Sequence, residues 1–469
     1  MIRILKVFVP VRVILLLLSE AAILYGCYMA ALFIVERFLE GEASLYASEF
    51  LFEDHGFLRI GIAVAVIMFG LYLNDLYEEF RIPSRIALVQ QISLALGIAF
   101  VAQATMSYVI SGWIVPRYTM ILGSLFVLLL TPSWRMFYSS VIFDALGTER
   151  VLLVGTSEIL GAIVKHIASK PALGFTVIGY LDDNAGGDNP FPGIPRLGEV
   201  QDLKRVTQDQ PDRIVVGLRE RRANLSMQDL LDLRFEGVHI EEAASLYEIA
   251  LGRVCTSEFR PSQLVFSKDF SPPHSSISLQ TFYCTLVAAV MLVLLSPLML
   301  VVALAVRLTS KGPVFYRQIR VGRGNKPFTL YKFRSMAADA EAKTGAVWAK
   351  KNDPRITPLG RIMRKTRIDE LPQLFNVLKG QMAIAGPRPE RPEFVTKLSH
   401  EIPYYRQRHT VKPGITGWAQ INYKYGDTLE DTVMKLEYDL YYIKNISMAL
   451  DMYIFFHTIK TMLLSRGAQ

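Results

Sequence analysis

Two adjacent carboxylates, Asp369 and Glu370, follow a segment dense in arginine: Arg361-Ile-Met-Arg-Lys-Thr-Arg367. The spacing predicts a helix there, and Arg361 and Arg364, three apart, share a face of it. A carboxylate is a weak nucleophile in water. It can attack phosphorus once cations neutralise the phosphate oxygens and the leaving group. A second carboxylate beside it suits a hard divalent ion such as Mg2+, which binds through one or two carboxylates plus substrate phosphates. A bare Asp-Glu also serves as a capping or salt-bridged pair next to a basic helix, so the pair alone does not decide. Gly386-Pro-Arg-Pro389 is a second candidate, because its prolines restrict the backbone around Arg388 and can fix its direction. An ordinary rigid turn is the alternative.

The surroundings are strongly basic. Between Arg307 and Arg367 there are 16 Lys/Arg against three acids, within a chain of net charge +8. That asymmetry fits a cytoplasmic face resting on anionic lipid, a site for phosphorylated substrates, or both. No nucleic-acid module is present, and the basic block follows an apolar segment directly, so no nucleic-acid partner is expected. Hydrophobic residues make up 51% of the 469 and charged residues 20%. Global disorder is excluded, and so is an ordinary soluble enzyme, since the longest apolar runs are of the kind bilayers select. Three scattered cysteines make neither a disulfide framework nor a zinc site, and the seven histidines form no close-spaced cluster.

These residues need elements to hold them. Apolar runs near Val11–Val35, Phe57–Tyr72, Ile86–Ile110 and Tyr118–Leu130 predict four membrane spans over residues 1–138. Glu20 and Gln103 interrupt two of them and are expected to face the bundle interior; a proton or ion relay is the alternative. Arg3, Lys6 and Arg12 precede the first span while Glu40, Glu42, Glu49, Glu53 and Asp54 follow it, which places the N-terminus in the cytoplasm. Residues 139–258 alternate strand and helix: strands near Arg150–Gly155, Phe175–Tyr180, Arg213–Gly217 and Val238–Glu241 predict a parallel, Rossmann-like sheet. A Gly loop opens a helix there, yet Ser157 stands where a dinucleotide fingerprint has its second glycine. The domain thus reads as structural or regulatory, with nucleotide binding as the alternative. A linker is expected over 259–278.

Residues 279–469 form the expected catalytic domain. Its first part, 279–308, is apolar and interrupted by Ser296-Pro297, and proline inside a helix produces a kink. A full fifth span would export the basic block, against the charge rule, so a re-entrant helix is expected, with the Ser296 hydroxyl satisfying part of the freed backbone. Ser447–Leu464 reads as either an interfacial or a packed core helix.

From about Ser296 onward, some 170 residues closely resemble the bacterial sugar transferase family, the monotopic polyprenyl-phosphate phosphoglycosyl transferases. The resemblance rests on Ser296-Pro297, Gly312-Pro-Val-Phe, Arg320-Val-Gly, Tyr331-Lys-Phe-Arg-Ser-Met336 and Asn352-Asp-Pro-Arg-Ile-Thr. It continues through Arg364-Lys-Thr-Arg-Ile-Asp-Glu-Leu-Pro-Gln-Leu-Phe-Asn-Val-Leu-Lys-Gly380, Gly386-Pro-Arg-Pro389, Lys412-Pro-Gly-Ile-Thr-Gly-Trp-Ala-Gln420 and the Asp439…Tyr442 pair. One departure stands out. Many members carry Lys-Arg and then Phe-Asp where the re-entrant helix begins, whereas this chain reads Ser278-Leu-Gln-Thr-Phe-Tyr-Cys284.

The resemblance implies a membrane protein of α/β class. Its parts are an N-terminal four-helix transmembrane bundle, a Rossmann-like parallel α/β domain, and a C-terminal mixed α/β catalytic domain with a kinked re-entrant helix. It implies an enzyme of the bacterial inner membrane, with central and catalytic domains cytoplasmic and a possible homodimer. The enzyme would pass a sugar-1-phosphate from a nucleoside diphosphate-sugar, UDP-linked, to undecaprenyl phosphate, starting exopolysaccharide, O-antigen or capsule assembly. Asp369 matches the family's nucleophile, which forms an aspartyl-phosphosugar, and Glu370 the acid associated with Mg2+. Lys332, Arg334, Arg364 and Arg388 match basic positions around the phosphates, and Asp439 another acid of the active site. A non-enzymatic membrane sensor or scaffold, reading a nucleotide through the Rossmann-like domain, is the alternative from another class.

Overall fold

The computed structural model describes residues 2–4, 7–40, 46–77, 84–109, 114–142, 145, 147–183, 189–207, 211–218, 225–257, 270–337, 353, 355–423, 426 and 428–463. The chain divides into two compact units, one built chiefly from residues 9–150 and the other from 151–169 and 177–469.

Four helices dominate the first unit: α1 (Val11–Val35), α2 (Gly56–Leu73), α3 (Arg85–Val109) and α4 (Arg117–Phe137). Each belongs to a stretch long and apolar enough to cross a membrane. With no hydrophobic drive between helices in lipid, close packing depends on small residues. A Cβ on Gly123 would lie 2.5 Å from the Tyr28 ring, and one on Gly70 would lie 2.9 Å from Ala95 Cβ, so both glycines are contact points. Glu20 does face the interior, fully buried, and Arg135 Nε meets its Oε1 at 2.5 Å while Nη2 donates to Oε2 at 2.9 Å. Arg135 also donates to the Leu76 carbonyl at 2.7 Å. A neutralised structural pair accounts for this acid; Gln103 is only half-buried. The fourth apolar stretch runs to Ile142, beyond the expected Leu130, because the Glu20 partner makes Arg135 tolerable inside it.

The second unit opens on a parallel sheet. Its strands are β1 (Glu149–Val154), β2 (Phe175–Leu181), β3 (Arg196–Gly198), β4 (Arg213–Val216) and β5 (His239–Glu242), in the order β3-β2-β1-β4-β5. Val151 to Val154 pair with Arg213 to Val216, which in turn pair with His239 to Glu242. Helix α5 (Glu158–Ser169) follows the Gly155 loop, α6 (Met227–Phe235) joins β4 to β5, and α7 (Ala243–Leu251) packs on α5. Ser157 is buried with no partner for its hydroxyl among the described residues, and exposed Asp183 accepts from the Val200 N–H at 2.9 Å, which engages one of its oxygens within the domain. The linker expected at 259–278 is shorter: 259–269 lie outside the described residues, and from His274 the chain is already helical.

Helix α8 (His274–Thr309) carries Pro297 in its interior. Proline removes the bond to the carbonyl four residues back, and the Ser296 hydroxyl donates to that carbonyl, Val293 O, at 2.8 Å. At 1.5 Å per residue, 36 residues extend about 54 Å, well beyond the roughly 30 Å hydrocarbon layer. Residues from the chain that follows contact the helix along most of its length. Tyr283, Cys284 and Ala288 pack with Leu330, Leu374 and Met382, and Met299 and Val306 with Phe333 and Met363. Its other side, from Leu279 to Leu308, exposes eleven large apolar residues.

Beyond α8 come the antiparallel hairpin β6 (Phe315–Val321) and β7 (Pro327–Phe333), then α9 (Pro358–Lys365), α10 (Gln373–Leu378) and β8 (Ala383–Ala385). They are followed by α11 (Pro392–Glu401), β9 (Gly414–Thr416, parallel to β8), α12 (Leu429–Lys444) and α13 (Met448–Leu463). Helix α13 is a core helix through Leu450 and Ile454, and Phe455 packs against the Tyr283 cluster, while Phe456 stays 45% exposed.

The start of α8 answers the departure noted at Ser278–Cys284. Gln280 Nε2 and the Tyr283 hydroxyl both donate to buried Asp451 of α13, the Gln280 bond at 2.8 Å. The Tyr442 hydroxyl donates to Asp451 Oδ1 at 2.7 Å and stands 2.9 Å from the Ala385 carbonyl. Lys412 donates to Thr281 Oγ1 at 3.0 Å. The anion thus comes from α13 and not from α8 itself.

Candidate active site

Asp369 and Glu370 lie on a single 3₁₀ turn, Ile368–Glu370, between α9 and α10. The chain leaves α9 through Arg367, whose φ of 54° is in the left-handed region that non-glycine residues avoid at a cost of about 1–2 kcal/mol. Ile368 and Leu371, on either side of the acids, pack against the cluster that Met299 and Val306 of α8 form with Phe333 and Met363. Both carboxylates end up 6–7% exposed.

Burial treats the two acids differently. Glu370 Oε1 accepts from Lys332 Nζ and from Arg388 Nη2, each at 3.0 Å, and Arg367 Nη1 stands 3.9 Å from Oε2. Burial alone would raise its pKa, but the charges of Lys332, Arg388 and Arg367 outweigh it and hold Glu370 below the usual carboxylate range. Asp369 accepts no hydrogen bond among the described residues. Burial pushes it up to about 6; the neighbouring Glu370 charge adds to the rise, while Lys332, Arg364 and Arg388 pull against it. One carboxylate is clamped and the other is left with its lone pairs uncommitted.

Three of the four expected basic residues converge here. Lys332 arrives on β7, Arg388 on the loop after β8, and Arg364 on the last turn of α9, where its charge acts on Asp369 without a direct bond. The Arg388 loop lies flat against the 412–417 segment: Gly386 N donates to Thr416 O at 2.9 Å and Gly414 N to Pro387 O at 3.0 Å. A Cβ on Gly386 would come 2.6 Å from Lys412 O, and one on Gly414 2.2 Å from Gly386 N, so backbone meets backbone there. Arg334 goes elsewhere. It is 5% exposed and donates through Nη2 to Ser310 O at 2.8 Å and to Ser310 Oγ at 2.7 Å, at the carboxyl end of α8. A cation there complements the helix dipole.

Asp439 is linked to the acid pair through Arg408 and Arg388. Arg408 holds its Oδ2 through Nε at 3.1 Å and Nη2 at 2.8 Å, and the same Nη2 donates to the Arg388 carbonyl at 3.1 Å. Burial pushes Asp439 up to about 6 against the pull of Arg408. Arg367 and Arg408 were not singled out from the sequence. Arg367 had one available cue, its place two residues before the acids. Arg408 had none, since its partner is 31 residues away on another helix.

No group of three or more His, Cys, Asp or Glu able to hold a metal occurs among the described residues. Two adjacent carboxylates nevertheless fit the minimal demand of Mg2+, which takes one or two carboxylates when substrate phosphates complete its shell.

A model of the bacterial sugar transferase family matches residues 277–465, and one described as a CoA-binding domain matches 72–219. The chain is 51% identical over 184 residues to the UDP-N-acetylgalactosamine-undecaprenyl-phosphate N-acetylgalactosaminephosphotransferase of Aeromonas hydrophila, covering 39% of this chain and 43% of that protein. It is 33% identical to the UDP-glucose:undecaprenyl-phosphate glucose-1-phosphate transferase of Xanthomonas campestris pv. campestris, over 68% of each. The like-named protein of Klebsiella pneumoniae is 36% identical over 66% of this chain and 67% of its own length. The match thus spans less than half of the Aeromonas relative and about two thirds of the other two.

Proposed function

We infer the reaction from one premise: the chain belongs to the bacterial sugar transferase family. It transfers a sugar-1-phosphate from a UDP-sugar to undecaprenyl phosphate, through an aspartyl-phosphosugar on Asp369, and so begins the assembly of a cell-surface polysaccharide. The observation that carries this reading is the inequality of the two acids. A nucleophile needs free lone pairs and a charge that is not already neutralised; Asp369 has the first and Glu370, bonded to two cations, does not.

An oxygen of Asp369 attacks the phosphorus that bears the sugar. The bond from that phosphorus to the bridging oxygen breaks, and UMP leaves with the electron pair. A phosphate oxygen of undecaprenyl phosphate then attacks the same phosphorus, breaking its bond to Asp369 and restoring the carboxylate. Lys332, Arg364 and Arg388 bind the phosphate oxygens and stabilise charge in flight, a task of positioning and electrostatics. Arginine suits it through its bidentate fork. Glu370 keeps Lys332 and Arg388 in place and, with the donor phosphates, would hold Mg2+, which when bound offsets the diphosphate charge.

The four N-terminal helices are read as spans with the N-terminus in the cytoplasm, and α8 as re-entrant. What supports re-entry is packing: a straight crossing would leave some 30 Å of α8 surrounded by lipid, whereas catalytic-segment residues flank it from Tyr283 to Val306. The site then meets the lipid phosphate at the inner leaflet. Assaying UMP release by the purified full-length protein, across UDP-sugars with and without undecaprenyl phosphate, tests the function. Acceptor-dependent turnover that Asp369→Asn abolishes is the expected result; full turnover by Asp369→Asn refutes the covalent route.

A further inference from the structure

Helix α12 carries two buried acids, Glu437 and Asp439, which at 3.6 residues per turn point about 200° apart. Asp439 faces Arg408 and, through it, the Arg388 carbonyl. Glu437 faces the other way and takes no part in the chemistry above. Its partners come from the end of the Rossmann-like domain. The Tyr247 hydroxyl donates to Oε2 at 3.1 Å, Thr256 N and Oγ1 donate to Oε1 at 3.0 and 3.3 Å, and Arg253 Nε stands 3.7 Å from Oε2. The backbone joins as well, with Val254 N donating to Glu437 O at 3.1 Å.

Two more contacts fasten the same segment. Trp418, stacked on Tyr441 of α12 with centroids 5.6 Å apart, donates its indole N–H to the Gly252 carbonyl at 2.6 Å. Gly252 has φ 66°, and a Cβ there would lie 3.1 Å from the indole ring, so the turn closing α7 is shaped to receive it. Glu248 of α7 meets Lys444 of α12 at 2.9 Å.

We propose that residues 247–256 are a positioning element of the transferase site: they hold α12 from behind so that Asp439, Arg408 and Arg388 present Glu370 and its cations in register. The route is contiguous. Tyr247 and Thr256 hold Glu437, α12 is the rigid bar between Glu437 and Asp439, Arg408 ties Asp439 to the Arg388 backbone, and Arg388 Nη2 reaches Glu370 at 3.0 Å. A structurally independent domain would need none of these buried polar bonds, each of which costs desolvation if left unmade. The role in turnover rests on the proposed reaction; the mechanical coupling does not.

Two full-length variants test it. Tyr247→Phe/Thr256→Val removes side-chain donors to Glu437, and Trp418→Phe keeps an aromatic ring, smaller than the indole, while deleting the bond to Gly252. Amide hydrogen exchange is expected to rise in both, not only at 243–257 and 429–444 but also at 404–410 and 385–391. In turnover assays kcat is expected to fall by about 10–100-fold, the scale of a displaced catalytic group, with KM for the UDP-sugar changing far less. Exchange confined to 243–257 and 429–444, or unchanged kcat in a variant whose melting temperature drops, overturns the proposal. A wild type that releases no UMP overturns the reaction instead, and the exchange result still decides the coupling.

Discussion

Asp369 and Glu370 differ in what surrounds them more than in what they are, and their titration is where that difference is measurable. Because burial lifts Asp369 to about 6, its carboxylate is lost as pH falls through that value, and kcat/KM is expected to show an acidic limb there; a limb near 4, the usual carboxylate range, contradicts the environment described. The neighbouring charge contributes to the lift. Glu370→Gln is therefore expected to lower activity by about 100-fold or more, as loss of a group fixing the electrostatics does. The residual activity should have its acidic limb displaced to lower pH. A limb that stays near 6 in the variant, or unchanged Mg2+ dependence, counts against the role given to Glu370. The acids and most of their cations were visible as a string of types. Arg408 and Arg367 were not assigned to the site, because their function depends on partners and on a left-handed turn that spacing does not encode.

At the scale of elements, α8 decides which side of the membrane the chemistry occupies. Pro297 was readable as a break in the backbone hydrogen-bond ladder, and the carbonyl it frees meets the hydroxyl expected for it. The anchor at the start of the helix was illegible, since Gln280 and Asp451 are 171 residues apart. A cysteine replacing exposed Lys326, in the β6–β7 turn, is expected to react only with reagent admitted to the cytoplasm. Adding Pro297→Ala restores the missing backbone bond and is expected to let a fraction of molecules thread the helix outward, labelling that cysteine from outside. Outside labelling without the Pro297 change sinks the re-entrant reading. The parallel sheet followed from alternating strands and helices, whereas its strand order was not read from the sequence, and the three-residue β3 and helix α7 were too short or too mixed in pattern to stand out.

Across the whole molecule, the buried pairs join segments far apart in sequence. Glu20 and Arg135 lie 115 residues apart, and a reading of apolar runs alone does not pair them, although an unpaired charge does not belong in lipid. Breaking that pair on one side leaves a buried charge, so Glu20→Ala is expected to cost about 3–5 kcal/mol in detergent unfolding, and Glu20→Leu with Arg135→Leu distinctly less; equal losses contradict a mutually neutralised pair. All of this supports one reaction at one carboxylate. Incubating the full-length protein with a UDP-sugar in the absence of undecaprenyl phosphate, then digesting it for mass spectrometry, tests that most directly. A sugar-phosphate adduct on the peptide containing Asp369, discharged when undecaprenyl phosphate is added, is the predicted result. A turning-over enzyme whose Asp369 peptide never gains that mass contradicts it.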